Sequence, residues 1–220
     1  MKRNYKQFCP IAYTLDIIGE RWTLLIIREL LYGERRFSDL LRALQGIGAN
    51  LLSQRLKELE LKELVIRKDL PPPAATHVYG LTEKGKGLKG VMQELAIWGL
   101  PYIKFPFEED VTLSVVSTMS ALEGVLFDAS SAKGKNLTCE VHTEGEVFYI
   151  SVEDGKLQIA FGFAKKANLI IEVKSRCLLE LCANIVELEK ALKEKNLVIR
   201  SGTALDMRTM LNLFSKQPAC

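Results

Sequence analysis

Between Ile47 and Val65 the apolar positions repeat at helical spacing. Turned at roughly 100° per residue, Leu52, Leu56 and Leu59 fall on one side of a helix expected at about 49–62, and Asn50, Ser53, Gln54 and Lys57 fall on the other. Three shorter helices are expected upstream. Cys9-Pro10 opens the first, with proline at the first helical position, where its missing N–H costs nothing. Trp22, Leu25, Ile26 and Leu30 give the second, from about Arg21 to Gly33. Ser38 is the expected N-cap of the third, which carries Leu40, Leu41 and Leu44. Gly46-Ile47-Gly48 turns the chain into the leucine-striped helix, so that helix, short turn and helix follow in order.

Val65–Leu70 and His77–Leu81 read as strands. Pro71, Pro72 and Pro73 cannot continue a sheet, so the segment between them is expected to project as a wing at about 70–77. Thr82 caps a helix expected to run over about 83–104. Its apolar residues (Leu88, Val91, Met92, Leu95, Ile97, Trp98, Tyr102, Ile103) wrap more than one face. That excess calls for a second contact surface, either a homodimer partner or the downstream domain. Pro101, Pro106 and the acidic run 108–110 mark the expected boundary between domains 1–105 and 106–220.

Beyond it a helical stretch at about 117–129 gives way to period-two alternation at 137–141, 148–152 and 157–161, with Glu144-Gly145 and Asp154-Gly155 as hairpin turns. A strand at 169–173, a helix capped by Ser175, a second helical stretch to about Lys195, a strand at 197–200 and a helix at about 205–214 complete the chain. The fold class is α+β: a winged helix-turn-helix domain, then a small α+β domain with an antiparallel sheet and covering helices.

Composition narrows the function classes. With 48% hydrophobic residues the chain suits packed cores, and no apolar run reaches the ~18–20 residues of a membrane span. The N-terminus lacks a signal-peptide core, and the cytoplasm is the expected compartment. The net charge of +3 is uneven: residues 1–105 hold 17 Lys+Arg against 11 Asp+Glu, and residues 106–220 hold 13 against 16. A basic first half suits a polyanionic partner. The five cysteines are scattered without metal-ligand spacing, so no metal and no cofactor is expected. His77 and His142 stand in unrelated contexts, and no nucleophile elbow, phosphate loop or His-Glu-x-x-His is present. An enzyme is not expected.

The amide pair, hydroxyl and cation at Asn50, Gln54, Ser53 and Lys57 are groups suited to base edges and phosphates; the same pattern also describes an ordinary solvated helix face. Arg55 lies off that face and either braces the fold, through a partner such as Glu60 or Asp39, or touches phosphate. Arg36, just before a helix N-terminus, is either a phosphate contact or a structural salt-bridge partner; Thr76 and His77, at the wing, are either phosphate contacts or ordinary surface-loop residues, and Ser38 is a further DNA-binding candidate. Phe148, Ile150, Ile159, Phe161, Phe163 and Leu181 are either core or the lining of an apolar ligand cavity.

Residues 1–105 resemble the HxlR-type winged-helix transcriptional regulators, relatives of the MarR group. The resemblance rests on Cys9-Pro10, Arg21-Trp22, Arg36-Phe37, Gly46-Ile47, Leu52-Ser-Gln-Arg-Leu56 with Leu59-Glu60, Pro72-Pro73, Tyr79-Gly-Leu-Thr82 with Gly85, and Trp98-Gly99. It implies a homodimer that places its fourth helix in the major groove of double-stranded DNA and its wing on the flanking backbone. It also makes Cys9 a candidate redox switch, against the alternative of an inert buried thiol. Gly48 stands where the family often has a capping serine. Residues of about 110–220 resemble the sterol-carrier-protein fold through Asp154-Gly-Lys-Leu-Gln-Ile159, Ala167-Asn-Leu-Ile-Ile171, and Leu197-Val-Ile-Arg-Ser-Gly202 with Leu211-Asn-Leu-Phe214. That resemblance implies a sensor domain for a small apolar ligand. The sequence therefore supports a dimeric DNA-binding regulator. The alternatives are a lipid carrier whose helical half only dimerises, and a scaffold whose winged helix binds protein.

Overall fold

The computed structural model describes residues 4–71, 76–103, 111 and 113–214. The chain forms two compact units, Met1–Met92 and Gln93–Cys220. Their division falls inside a helix, upstream of the boundary expected at 105/106.

In the first unit, Pro10 opens α1 (Pro10–Ile18) as expected from its fixed φ. Helix α2 (Thr23–Leu30) starts two residues later than the hydrophobic pattern suggests. Trp22 takes a left-handed conformation, φ 77°, which a right-handed helix cannot contain. A two-residue strand, β1 (Arg35–Arg36), leads into α3 (Phe37–Ala43). Ser38 is not its cap: it lies inside the first turn, and the Asp39 carboxylate accepts the Arg36 backbone N–H at 3.3 Å. Helix α4 (Ala49–Leu61) follows the turn.

Strands β2 (Val65–Asp69) and β3 (His77–Leu81) pair antiparallel, Val65 opposite Leu81 and Asp69 opposite His77. β1 adds to the other edge of β3, giving the order β1-β3-β2. Of the expected wing loop, residues 72–75 lie outside the described residues; at its base the Leu70 N–H donates to the Thr76 carbonyl at 2.7 Å.

The helix expected over 83–104 is broken into α5 (Glu83–Lys86), α6 (Lys89–Gly99) and a 3-10 turn at Leu100–Tyr102. Thr82 caps α5, its hydroxyl accepting the Gly85 N–H at 3.2 Å. Gly85 is buried against the first sheet, so close that a Cβ there would stand 2.2 Å from the Leu64 carbonyl oxygen. The chain tightens at this point, Leu88 N–H reaching the Gly85 carbonyl, and the helix restarts one residue on. Ile26, Ile27, Leu40, Leu52, Leu56 and Leu59 form the centre of the first core, and Leu88 and Met92 pack against it.

In the second unit, Ser114 caps α7 (Val115–Ala121), which continues as a π-helical turn at Leu122–Leu126; α8 (Ala129–Ala132) is capped by Asp128. The sheet comprises β4 (Asn136–Thr143), β5 (Glu146–Glu153), β6 (Lys156–Phe161), β7 (Leu169–Val173) and β8 (Leu197–Ser201), in the order β6-β5-β4-β7-β8. It is mixed rather than antiparallel, because β7 returns beside β4 in the same direction. Both hairpin turns have positive φ at both residues: 45° and 78° at Glu144-Gly145, and 47° and 80° at Asp154-Gly155. That backbone twist matches the strands it joins.

Helices α9 (Ser175–Cys182), α10 (Leu188–Lys193) and α11 (Ala204–Leu211) complete the unit. Lys174, not Ser175, occupies the N-cap of α9. The Ser175 N–H and hydroxyl instead both donate to the Glu144 carboxylate, at 2.9 and 2.6 Å. The β4–β5 turn thus supplies a charged acceptor, stronger than the serine's own oxygen. Among the described residues no helix is long and apolar enough to cross a membrane.

The close approach at Gly85 gives a direct test of the first unit's packing. Gly85→Ala is expected to lower stability by about 1–3 kcal/mol, the usual cost of forcing extra volume into a filled site. Urea unfolding followed by circular dichroism measures it; an unchanged midpoint would mean that the backbone there yields freely.

Candidate nucleic-acid interface

Two glycines shape the approach to α4. Gly46, at φ 92°, lets the chain reverse, and a Cβ there would meet the Trp22 ring at 3.5 Å. Gly48 holds the N-cap position with no side-chain bond, which glycine tolerates with little loss. Between them Ile47 is buried in the first core. The helix then seats its leucine stripe: Leu52, Leu56 and Leu59 are each no more than 2% exposed. The opposite side is open. Asn50, Gln54 and Lys57 are exposed and Ser53 is half-buried.

Arg55 sits at the margin of this open side, its side chain 12% exposed. It donates to the Arg21 carbonyl at 3.3 Å, to Glu20 at 2.9 Å and to Glu58 at 2.7 Å. Its partners are therefore Glu20 and Glu58, not Glu60 or Asp39, and its guanidinium is engaged inside the unit. The Glu58 carboxylate also accepts from the Gln54 amide at 3.0 Å. Partial burial pushes the Glu58 carboxyl up. The hydrogen bonds from Gln54 and Arg55, with the charges of Arg55 and Lys62, outweigh that and hold it below the usual carboxylate value. At the far end of α4, Lys62 donates to the carbonyls of Asp16 and Ile17, the open C-terminal end of α1. Helix α4 is thus tied through Arg55 to the α1–α2 connection and through Lys62 to the last turn of α1.

Arg36 and Ser38 are exposed at the start of α3, and His77 is exposed at the start of β3, with Thr76 half-buried beside it. His77 Nδ1 lies 3.1 Å from an Arg67 guanidinium nitrogen and 3.3 Å from an Asp69 carboxylate oxygen. Arg67 and Lys68, both exposed on β2, and Arg42, exposed on α3, are cations that the motif reading passed over. The signal for the first two was present: Val65-Ile-Arg-Lys-Asp69 sets three charged residues in succession, without the apolar/polar alternation of a half-buried strand, and β2 buries only its first residue.

The sequence-predicted residues of the second unit differ in burial. Phe148, Ile150, Ile159 and Leu181 are buried in its core, Phe161 is half-buried, and Phe163 is 73% exposed. An open cleft of about 820 Å³ is lined by other groups, among them His142, Glu146, Glu172, Lys174, Lys195 and Asn196. Cys139, Cys177 and Cys182 are buried, and burial pushes their thiols up, that of Cys177 to about 11. Cys9 is half-buried at the N-cap of α1. Among the described residues no group of three or more His, Cys, Asp or Glu is placed to hold a metal ion.

Comparison with known proteins bears on the first unit. Residues 17–105 match the profile of the HxlR-like helix-turn-helix family. The chain is 39% identical over 101 residues to YvaP, an uncharacterized HTH-type transcriptional regulator of Bacillus subtilis (strain 168), covering 46% of this chain and 94% of that protein. The chain belongs to the HxlR-like helix-turn-helix family. It is also 40% identical over 91 residues to the HTH-type transcriptional regulator YodB of the same organism, covering 41% of this chain and 81% of YodB. The solved reduced form of B. subtilis YodB is 36% identical, covers 46% of this chain and all of its own, and superposes with a TM-score of 0.39. Within this HxlR-like unit, the family match spans the turn, α4, the hairpin and α5 described above.

The depressed Glu58 carboxyl makes a signed prediction. Its ion pairing contributes stability above the ordinary value of 4.5, and that contribution is lost as the pH falls through the lower folded value. Between about pH 5 and 3, Glu58→Gln is therefore expected to lose less stability than the parent in chemical unfolding. Parallel pH profiles would remove the ion-pair role of Glu58.

Proposed function

We propose that this chain is a homodimeric, sequence-specific, DNA-binding regulator of transcription. In this reading α4 enters the major groove of a pseudo-palindromic operator and the wing at about 70–77 rests on the flanking backbone. One observation carries it: the leucine stripe turns inward and leaves Asn50, Gln54 and Lys57 exposed on the opposite side of α4. Side-chain amides pair with adenine in the groove, and lysine neutralises phosphate. Family membership and the regulator names of its relatives support the same reading.

The remaining contacts fall into two groups. Arg36, Ser38, Thr76 and His77, joined by Arg42, Arg67 and Lys68, are assigned to backbone phosphates, where they fix register without reading sequence. Arg55 is assigned a bracing role, because its donors are already committed to Glu20, Glu58 and the Arg21 carbonyl.

A second copy of the chain is the proposed cover for α6, whose Val91, Leu95, Ile97 and Trp98 are exposed, Trp98 by 70%. Burying side chains of this size contributes roughly 1.5–3 kcal/mol each. Ile11, Tyr13 and Leu15 of α1 are exposed as well. A two-fold dimer would present two α4 helices to half-sites about one helical turn apart.

The second unit is proposed to sense a ligand, which regulates only through different affinities for two states of the dimer. The sequence suggested an apolar ligand. The 820 Å³ cleft, where charged groups such as Glu172 and Lys174 stand beside Val147, Val173 and Val198, is the ligand's proposed place, for a molecule with both polar and apolar parts. Cys9 is the proposed thiol for any redox response, being the described cysteine outside a buried setting.

Binding-site selection and salt titration with the full chain test the reading. Asn50→Ala and Gln54→Ala should each relax base preference with an unchanged melting temperature. Lys57→Ala should weaken all sequences alike and lower the salt slope by about one. If neither amide variant alters the selected sequence, α4 is not the reading helix. Trp98→Glu combined with Leu95→Glu should sediment as a monomer and bind the operator more weakly; a variant that stays dimeric would place the interface elsewhere.

A further inference from the structure

The side-chain chain Arg55–Glu58–Gln54 has a direction built into it. Arg55 carries only donors, and it is anchored at its other end by Glu20 and the Arg21 carbonyl. It engages one oxygen of Glu58, Oε2, at 2.7 Å. The other oxygen, Oε1, is left to Gln54, whose Nε2 lies 3.0 Å away. The orientation of that amide follows from chemistry alone: a carboxylate has nothing to donate, so the amide turns its nitrogen inward and its oxygen away. One Nε2 hydrogen is taken by Glu58. The oxygen and the second hydrogen remain for whatever approaches the open side of α4.

That pair is what adenine needs. In the major groove adenine offers a donor at N6 and an acceptor at N7, whereas guanine offers acceptors at both O6 and N7. An amide held oxygen-outward matches the first and sets an oxygen against an oxygen in the second. We propose that Glu58, itself fixed by Arg55, is a specificity-determining residue: by orienting the Gln54 amide it selects adenine over guanine at the base pair Gln54 faces. Glu58 touches no base in this scheme; it acts through Gln54 as a positioning residue. The inference rests on the reading of α4 as the groove-facing helix.

Glu58→Gln is the informative variant, because it keeps the side-chain size and an oxygen for Arg55. Arg55 would claim that oxygen, leaving the introduced amide's NH2 toward Gln54. Gln54 would then turn its own oxygen inward and present its nitrogen to the groove. Selection from a randomised duplex library with the full-length parent, Gln54→Ala, Glu58→Gln and Glu58→Ala reads the result, with circular dichroism confirming that each variant folds. The parent should select adenine at one position that Gln54→Ala flattens. Glu58→Gln should move that position toward guanine by about tenfold, the size of one well-made base contact. Glu58→Ala, which frees the amide to rotate, should leave adenine and guanine within about threefold of each other. A Gln54-dependent position that keeps its adenine in both Glu58 variants overturns this inference alone. A parent that selects no motif, or a motif indifferent to Gln54→Ala, overturns the groove-facing reading and this inference with it.

Discussion

Burial of Leu52, Leu56 and Leu59 beneath α4 is the constraint from which the first unit's surface follows. With a repeat of 3.6 residues per turn, three leucines at spacings of four and three commit one side of the helix to the interior. The residues at the complementary spacings have no choice but to face out. Each buried leucine adds about 1.5–3 kcal/mol to that preference. Rotating the helix to hide Asn50 and Gln54 would expose the stripe and carry polar groups, the Glu58 carboxylate bonded to Gln54 among them, toward the interior. The same burial places Arg55 at the rim, where it reaches both the α1–α2 connection and Glu58.

Much of this was legible in the residues. The stripe, the helix-turn-helix order, Pro10 at a helix start, Thr82 as a cap and the two hairpin turns at Glu144-Gly145 and Asp154-Gly155 all depend on local chemistry, which a sequence states directly. The misplacements have long-range causes. Ser38 and Ser175 read as caps because serine often is one, yet in each case a carboxylate, Asp39 or Glu144, serves the helix start instead. The break after α5 arises from the buried approach of Gly85 to the Leu64 carbonyl, and no pattern within 83–104 announces it. The parallel placement of β7 beside β4 likewise depends on a partner some thirty residues away.

Around the candidate site, the open residues of α4 were readable from the helical wheel, but the role of Arg55 was not. Its 100° offset from Gln54 placed it off the face without naming Glu20 or Glu58 as partners. In the second unit, aromatic and aliphatic alternation identified buried positions correctly in kind. Alternation cannot distinguish a filled interior from a hollow one; it places Phe148, Ile150, Ile159 and Leu181 inside, where they are buried.

The placement of β4 has a consequence for how the chain acquires its shape. As the middle strand of β6-β5-β4-β7-β8, it pairs with β5 across a two-residue turn, but its other edge waits for β7. The meander β4-β5-β6 closes through near neighbours, whereas the β4–β7 ladder joins Cys139 to Leu169 and must span the whole hairpin pair first. Loop closure of that length is the slow kind. On a ribosome delivering residues in order, the first unit and the three-strand meander are complete while β4 still shows one bare edge. Until residue 173 emerges, that edge is the part of the nascent chain most open to pairing with the wrong strand.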